Sequence, residues 1–172
     1  VVDFLRFMRP IMDREGLKDV GLTNGEPAQW DVFGKWVAPE IYADPVAIKN
    51  IALVTSHGFG TGRAAINSLG VDTLRVVRPD LHAWNTSMNV APGGDNIWIE
   101  QVRQNIYDAK VNGIIPWSVL CSDSWSGGPE NPLRNSWNSW VGTAFWPDRK
   151  GGYTVEAGYY LLKHVFRAGQ PG

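Results

Sequence analysis

Leu81-His82-Ala83-Trp84-Asn85-Thr86-Ser87-Met88-Asn89 reads as a short buried strand that ends in polar residues. Pro79 stops whatever precedes it, and its last residues belong at the rim of a sheet. In α/β folds built on parallel strands, chemistry concentrates at the carboxyl ends of those strands. The order of elements on either side of this stretch therefore decides the fold.

On the amino-terminal side, Ile51 to Thr55 is the clearest buried strand, followed at its rim by Ser56-His57-Gly58-Phe59-Gly60. Asp44-Pro45 is a start signal for a short helix that runs into Asn50, with proline at the first helical position. Gly62 to Leu69 reads as a short helix. Leu74 to Val77 fits strand or helix, and its β-branched pair favours strand. Earlier still, Val1 to Gly16 is an amphipathic helix with Phe4, Leu5, Met8, Ile11 and Met12 at helical spacing, kinked or bounded at Pro10. Asp19 to Thr23 is a short strand, Asn24 to Pro27 a loop, and Ala28 to Tyr42 a partly helical aromatic segment broken near Pro39.

On the carboxyl-terminal side, Asp95 or Asn96 caps a helix over Ile97 to Asn112. Ile99, Val102, Ile106 and Ala109 form its apolar face, and Gly113 stops it. Ile114 to Leu120 is a strand. Residues 122–152 form a long loop rich in Ser, Gly, Asn, Pro and Trp, a length that in a compact domain is functional or holds small strands of its own. Thr154 caps a last helix over Val155 to Arg167. A helix followed by four strand–helix units predicts an α/β fold with a parallel sheet. Two forms are open: half of a (β/α)8 barrel, or a complete open doubly wound sheet. We read residues 1–172 as a single domain.

The chain has 172 residues, against the roughly 250 of a complete barrel. It opens inside a helical pattern and without Met, which reads as a processed, split or truncated product. Its 16 basic and 17 acidic residues leave a net charge of -1, so neither a nucleic acid nor a membrane surface is an expected partner. A single cysteine, Cys121, rules out an intrachain disulfide. The informative excess is 9 tryptophans, many beside Asn, Ser, Gly and Pro. Such indoles pack cores and loops, or they present flat faces that stack on sugar rings while neighbouring amides and hydroxyls bond the ring hydroxyls.

Four motifs in this order resemble the C-terminal half of a clan A retaining glycoside hydrolase, nearest to family 30. Asp44-Pro45 with Ala47 to Lys49 precedes Ile51 to Thr55 and His57-Gly58-Phe59, similar to a helix leading into a strand that ends H-G-Y. Trp84-Asn85-Thr86-Ser87 is similar to the W-x-T-E of the nucleophile strand. Ala109 to Gly113 and Trp117 resemble the next helix end and strand. Tyr159-Tyr160-Leu161-Leu162 resembles a helix near the barrel end. The resemblance implies a (β/α)8 half-barrel acting on O-glycosidic bonds of an oligosaccharide or polysaccharide, without a cofactor or metal. It also implies a partner, either an N-terminal half-barrel chain or a second copy.

The departures from the pattern bear on chemistry. Ser87 stands where the nucleophilic Glu belongs, and a serine without a paired base is a poor nucleophile that brings no charge to an oxocarbenium-like transition state. Hydrolysis is therefore expected to be impaired, and a non-catalytic carbohydrate-binding protein is the rival reading. An ordinary strand-end serine is a third. The resemblance places the acid/base on a strand before Val1. Asn24-Gly25-Glu26-Pro27 imitates its N-E-P motif with a glycine inserted, which makes Glu26 a weaker alternative. Phe59 stands where a Tyr often touches the nucleophile. For substrate binding the candidates are His57, Phe59, Trp84, Asn85, Asn89, Trp117 and Trp125, each with a plain packing or capping role as its alternative. Trp137, Trp140, Asp123 and Glu130 on the long loop are further candidates for its wall.

Two other classes fit less well. Gly58-Phe59-Gly60-Thr61-Gly62 follows a strand, but its spacing is not G-x-G-x-x-G. His57, His82 and His164 lie on separate elements without the spacing of a metal site.

Overall fold

The computed structural model describes residues 1–89, 95–117, 145–147, 150–155 and 157–168. They fall into two compact units, one of Val1–Met88 with Glu100–Ile115 and one of Asn89–Ile99 with Pro116–Gly172.

The first unit opens with α1 (Val2–Arg14) and the two-residue strand β1 (Leu22–Thr23). Helical backbone then runs through α2 (Trp30–Val32), a π-helical stretch at Phe33–Val37 and α3 (Ala38–Tyr42). The expected break at Pro39 is absent. Proline lacks the N–H that an α-helix requires, and the wider π turn ahead of it accommodates that loss inside continuous helix. Next come α4 (Pro45–Asn50), β2 (Ile51–Ser56), α5 (Leu69–Arg75) and β3 (His82–Asn89). After them, α6 (Asp95–Tyr107) and β4 (Gly113–Trp117) straddle the boundary between the units.

The four strands form one parallel sheet in the order β1-β2-β3-β4, with helices between them. This is the α/β architecture expected of half a (β/α)8 barrel. Asp44 starts α4 as read from the sequence: its carboxylate accepts from the backbone N–H groups of Val46 and Ala47, both at 2.9 Å, and Arg6 pairs with it at 2.5 Å. The core joins Leu5 of α1, Trp30, Phe33, Ile41 and Val54 to Leu74 and Val71 of α5. Gly34 and Gly70 let α5 close on the π-helical stretch; a Cβ at Gly70 would lie 2.7 Å from the Gly34 Cα and from the Phe33 ring.

Several sequence expectations are corrected here. Gly62 to Leu69 is turn and bend, and the helix begins only at Leu69. Leu74 to Val77 is no strand, because Leu74 is fully buried as part of α5 and the Val76 and Val77 amides bond back to Asp72 and Leu74. Helix α6 ends at Tyr107 rather than Asn112. Its sheet-facing side is also different: Ile99 and Ile106 are exposed, whereas Val102, Gln104 and Asn105 are buried.

In the second unit, β5 (Phe145–Pro147) and β6 (Tyr153–Val155) pair antiparallel, followed by α7 (Ala157–Ala168). Phe145 packs against Tyr153 and Tyr159 at ring separations of 5.6 and 5.2 Å. Thr154 thus sits inside a strand and does not cap α7, which begins three residues later.

Candidate functional site

The ends of β1 and β2 are shaped by side chains that take over from the sheet ladder. Beyond Thr23, the buried Asn24 accepts from the Thr55 N–H at 2.6 Å and donates to the Thr55 carbonyl at 3.0 Å. The Thr55 hydroxyl donates to the Gly25 carbonyl. Two residues on, the chain is tied to the segment just beyond β2: the N–H groups of His57 and Phe59 donate to the carbonyls of Pro27 and Ala28, both at 2.9 Å. Between these ties Gly25, at φ 87°, turns the chain so that Glu26 leaves it toward the sheet.

Pairing across β2 and β3 matches Leu53 with His82, Val54 with Ala83, Thr55 with Trp84 and Ser56 with Asn85. Side chains alternate along a strand, and matched residues of parallel strands share a face. One face of β3 therefore carries His82, Trp84 and Thr86, and the other Ala83, Asn85 and Ser87. Burial follows this division: Trp84 is 38% exposed, whereas Asn85 is 0% and Ser87 8%.

On the open face, the Thr86 hydroxyl donates to the Glu26 Oε2, and the His57 Nε2 lies 3.6 Å from the same oxygen. The Phe59 ring meets His57 edge-on at 4.9 Å between centroids. Trp84 lies two residues back along β3, seated over Gly113 of β4, where a side chain would collide with the indole. A carboxylate, an imidazole and a hydroxyl thus stand together at the carboxyl ends of β1, β2 and β3, and an exposed indole lies lower on the same face of β3, against Gly113 of β4.

The opposite face is built to hold this rim still. Asn105 of α6 accepts from the Trp30 Nε1 at 2.8 Å, and its amide donates to the Gln101 carbonyl at 2.9 Å and the Gly58 carbonyl at 3.4 Å. The Ser56 hydroxyl donates to the Pro27 carbonyl and accepts from the Gly58 N–H. Gly58 has φ 68°, and any Cβ there would run into the amides of Asn85 and Asn105. Only glycine meets both requirements. Asn85 receives the Ser87 N–H at 3.2 Å, and its own buried Nδ2 has no acceptor among the described residues.

The structure brings Glu26, His57 and Phe59 to one rim and Trp84 to the open face of β3 below it. It places Asn85 and Ser87 on the helix-covered side of the same strand. Asn89 and Trp117 end β3 and β4, but their side chains lie outside the described residues, as do Trp125, Asp123, Glu130, Trp137 and Trp140 altogether. Thr86 belongs to the rim and was not among the sequence candidates. Its alternation with Trp84 was the available signal. Among the described residues no group of three or more His, Cys, Asp or Glu is arranged to hold a metal, and no helix is long and apolar enough to cross a membrane.

No protein-family model matches the chain, and no curated protein matches it in sequence. Solved structures do match in fold. SrfJ from Salmonella typhimurium is 17% identical with a TM-score of 0.68, over 98% of this chain and 37% of that one. The endo-β1,6-glucanase BT3312 is 16% identical with a TM-score of 0.63, over 99% of this chain and 38% of that one. The catalytic domain of the GH30 xylanase C from Talaromyces cellulolyticus is 14% identical with a TM-score of 0.66, over 99% and 36%. The chain therefore spans little more than a third of each neighbour, and its fold is that of part of these barrels.

Proposed function

We propose that this chain is the C-terminal half of a (β/α)8 glycoside hydrolase of retaining ancestry, acting on O-glycosidic bonds of an oligosaccharide or polysaccharide. One observation carries the reading. One face of three adjacent parallel strands offers Glu26, His57 and Thr86 at the carboxyl ends and the exposed Trp84 indole two residues below Thr86. An aromatic platform beside convergent polar groups is the makeup of a sugar-binding cleft.

Retaining hydrolysis needs two carboxyl groups about 5–5.5 Å apart. Ser87 stands in the nucleophile's place in the motif, so this chain is hydrolytically impaired. The acid/base comes from an N-terminal half-barrel, which also covers the open edges of a four-stranded sheet; a second copy is the other way to cover them. The rival reading, a carbohydrate-binding protein without turnover, draws support from Ser87 being 8% exposed on the side of Asn85, away from Glu26.

Restoring the carboxylate separates the two. Ser87→Glu is compared with the wild type for turnover of a dinitrophenyl β-glycoside, whose leaving group departs without a general acid, and for oligosaccharide binding by calorimetry. Turnover gained over an inert, sugar-binding wild type supports the hydrolase. Unchanged inertness with intact binding supports the binder. A wild type that binds no oligosaccharide removes both.

A further inference from the structure

We infer that Glu26 is a specificity-determining residue, selecting a neutral pyranose by accepting hydrogen bonds from its ring hydroxyls and turning away sugars that carry a carboxylate. The inference rests on the carbohydrate reading of the same rim. A glutamate carboxylate is purely an acceptor, with about four lone-pair sites on two oxygens. Oε2 is engaged by the Thr86 hydroxyl and faces the His57 ring, whereas Oε1 makes no hydrogen bond among the described residues. The side chain is 45% exposed, so the carboxylate is open to solvent.

The carboxylate is also held in one place. Thr86 anchors it from β3, His57 flanks it from the end of β2, and the turn at Gly25 fixes its root at the end of β1. A positioned acceptor binds a donor at less entropic cost than a free side chain does. Trp84 and Thr86 are two residues apart on one face, about 6.6 Å along a strand. In this proposal a saccharide stacked on that indole extends along the same face toward the Glu26 carboxylate. Its hydroxyls donate to that carboxylate through charge-assisted bonds. A uronic acid in the same position sets carboxylate against carboxylate, and none of the described contacts of Glu26 is to a lysine or arginine that would offset the repulsion.

The test is calorimetric binding of neutral β-linked disaccharides (gentiobiose, xylobiose, cellobiose) and of an aldobiouronic acid to the wild type, Glu26→Gln and Trp84→Ala, each checked for an unchanged thermal unfolding midpoint. The wild type is expected to prefer a neutral disaccharide by about tenfold or more. In Glu26→Gln, affinity for it falls about tenfold and the preference over the acidic sugar collapses. If Trp84→Ala abolishes binding while Glu26→Gln keeps both affinity and preference, the role of Glu26 is overturned and the carbohydrate site stands. If the wild type binds none of these sugars, the site and the selectivity fall together.

Discussion

Replacing Asn105 with alanine tests whether the rim is held from behind. The Asn105 side chain is fully buried and serves three groups on different segments. The bond at stake is the one from the Trp30 indole, 2.8 Å long and buried at both ends. Removing the acceptor strands a desolvated N–H, at about 1–3 kcal/mol. The Gly58 carbonyl loses a longer and weaker bond, on the order of 0.5 kcal/mol. Gln101 loses little, since its carbonyl keeps its place in the helix ladder, and alanine's better helix propensity returns roughly 0.5 kcal/mol. The expected loss is about 2 kcal/mol, read from the midpoint of urea unfolding at constant slope. Trp30→Phe removes the donor while keeping most of the apolar ring. In that background Asn105→Ala should cost about 1 kcal/mol less, and the difference measures the coupling. A cost below about 0.5 kcal/mol, or one that Trp30→Phe leaves unchanged, refutes the reading that the buried Trp30–Asn105 bond holds this side of the sheet in place.

Two further perturbations probe the scaffold, beside the Ser87 and Glu26 substitutions set out above. Gly70→Ala places a methyl group 2.7 Å from the Gly34 Cα and the Phe33 ring, and overpacking of about 1–3 kcal/mol exceeds the gain of roughly 1 kcal/mol in helix propensity, so the urea midpoint should fall. Asp44 is held below its ordinary value of 3.8, first by the Ala47 N–H and then by the Val46 N–H and Arg6, against the opposing effect of burial. A carboxyl depressed in the folded state adds stability that is present above its unfolded pKa and is lost as pH falls through the folded one. Asp44→Asn, which keeps a capping oxygen, should leave the unfolding midpoint near its neutral-pH value but flatten its decline below about pH 4.

Local chemistry made part of this architecture readable from sequence. Asp44-Pro45, the apolar run at Ile51 and the Leu81 stretch each carry their signal within a few residues, and each element lies where expected. Val76-Val77 misled because β-branching favours strand only where the side chains are covered, and Val76 is 75% exposed. That turn is secured instead by Arg78, whose guanidinium reaches the carbonyls of Ile48 and Ile51 some thirty residues away. Helix α6 misled for a related reason. Hydrophobic periodicity pointed to Ile99 and Ile106, but the groups the fold buries are the amides of Gln104 and Asn105, which bond to Gly62, Gly58 and Trp30. In sequence, Asn24 to Pro27 makes Glu26 an imitation of an acid/base motif. Its meeting with Thr86, sixty residues on, follows from strand order and register, which no short window of sequence contains.

Asn24 acts as a surrogate peptide unit. By lending Thr55 both an acceptor and a donor, it extends β1 by one rung with no further backbone, and the freed main chain can bend over the top of the sheet. The reach of the Glu26 carboxylate is thus set by an amide two positions earlier that never meets a ligand. A change at Asn24 would retune the rim as a splice in a cantilever moves its tip.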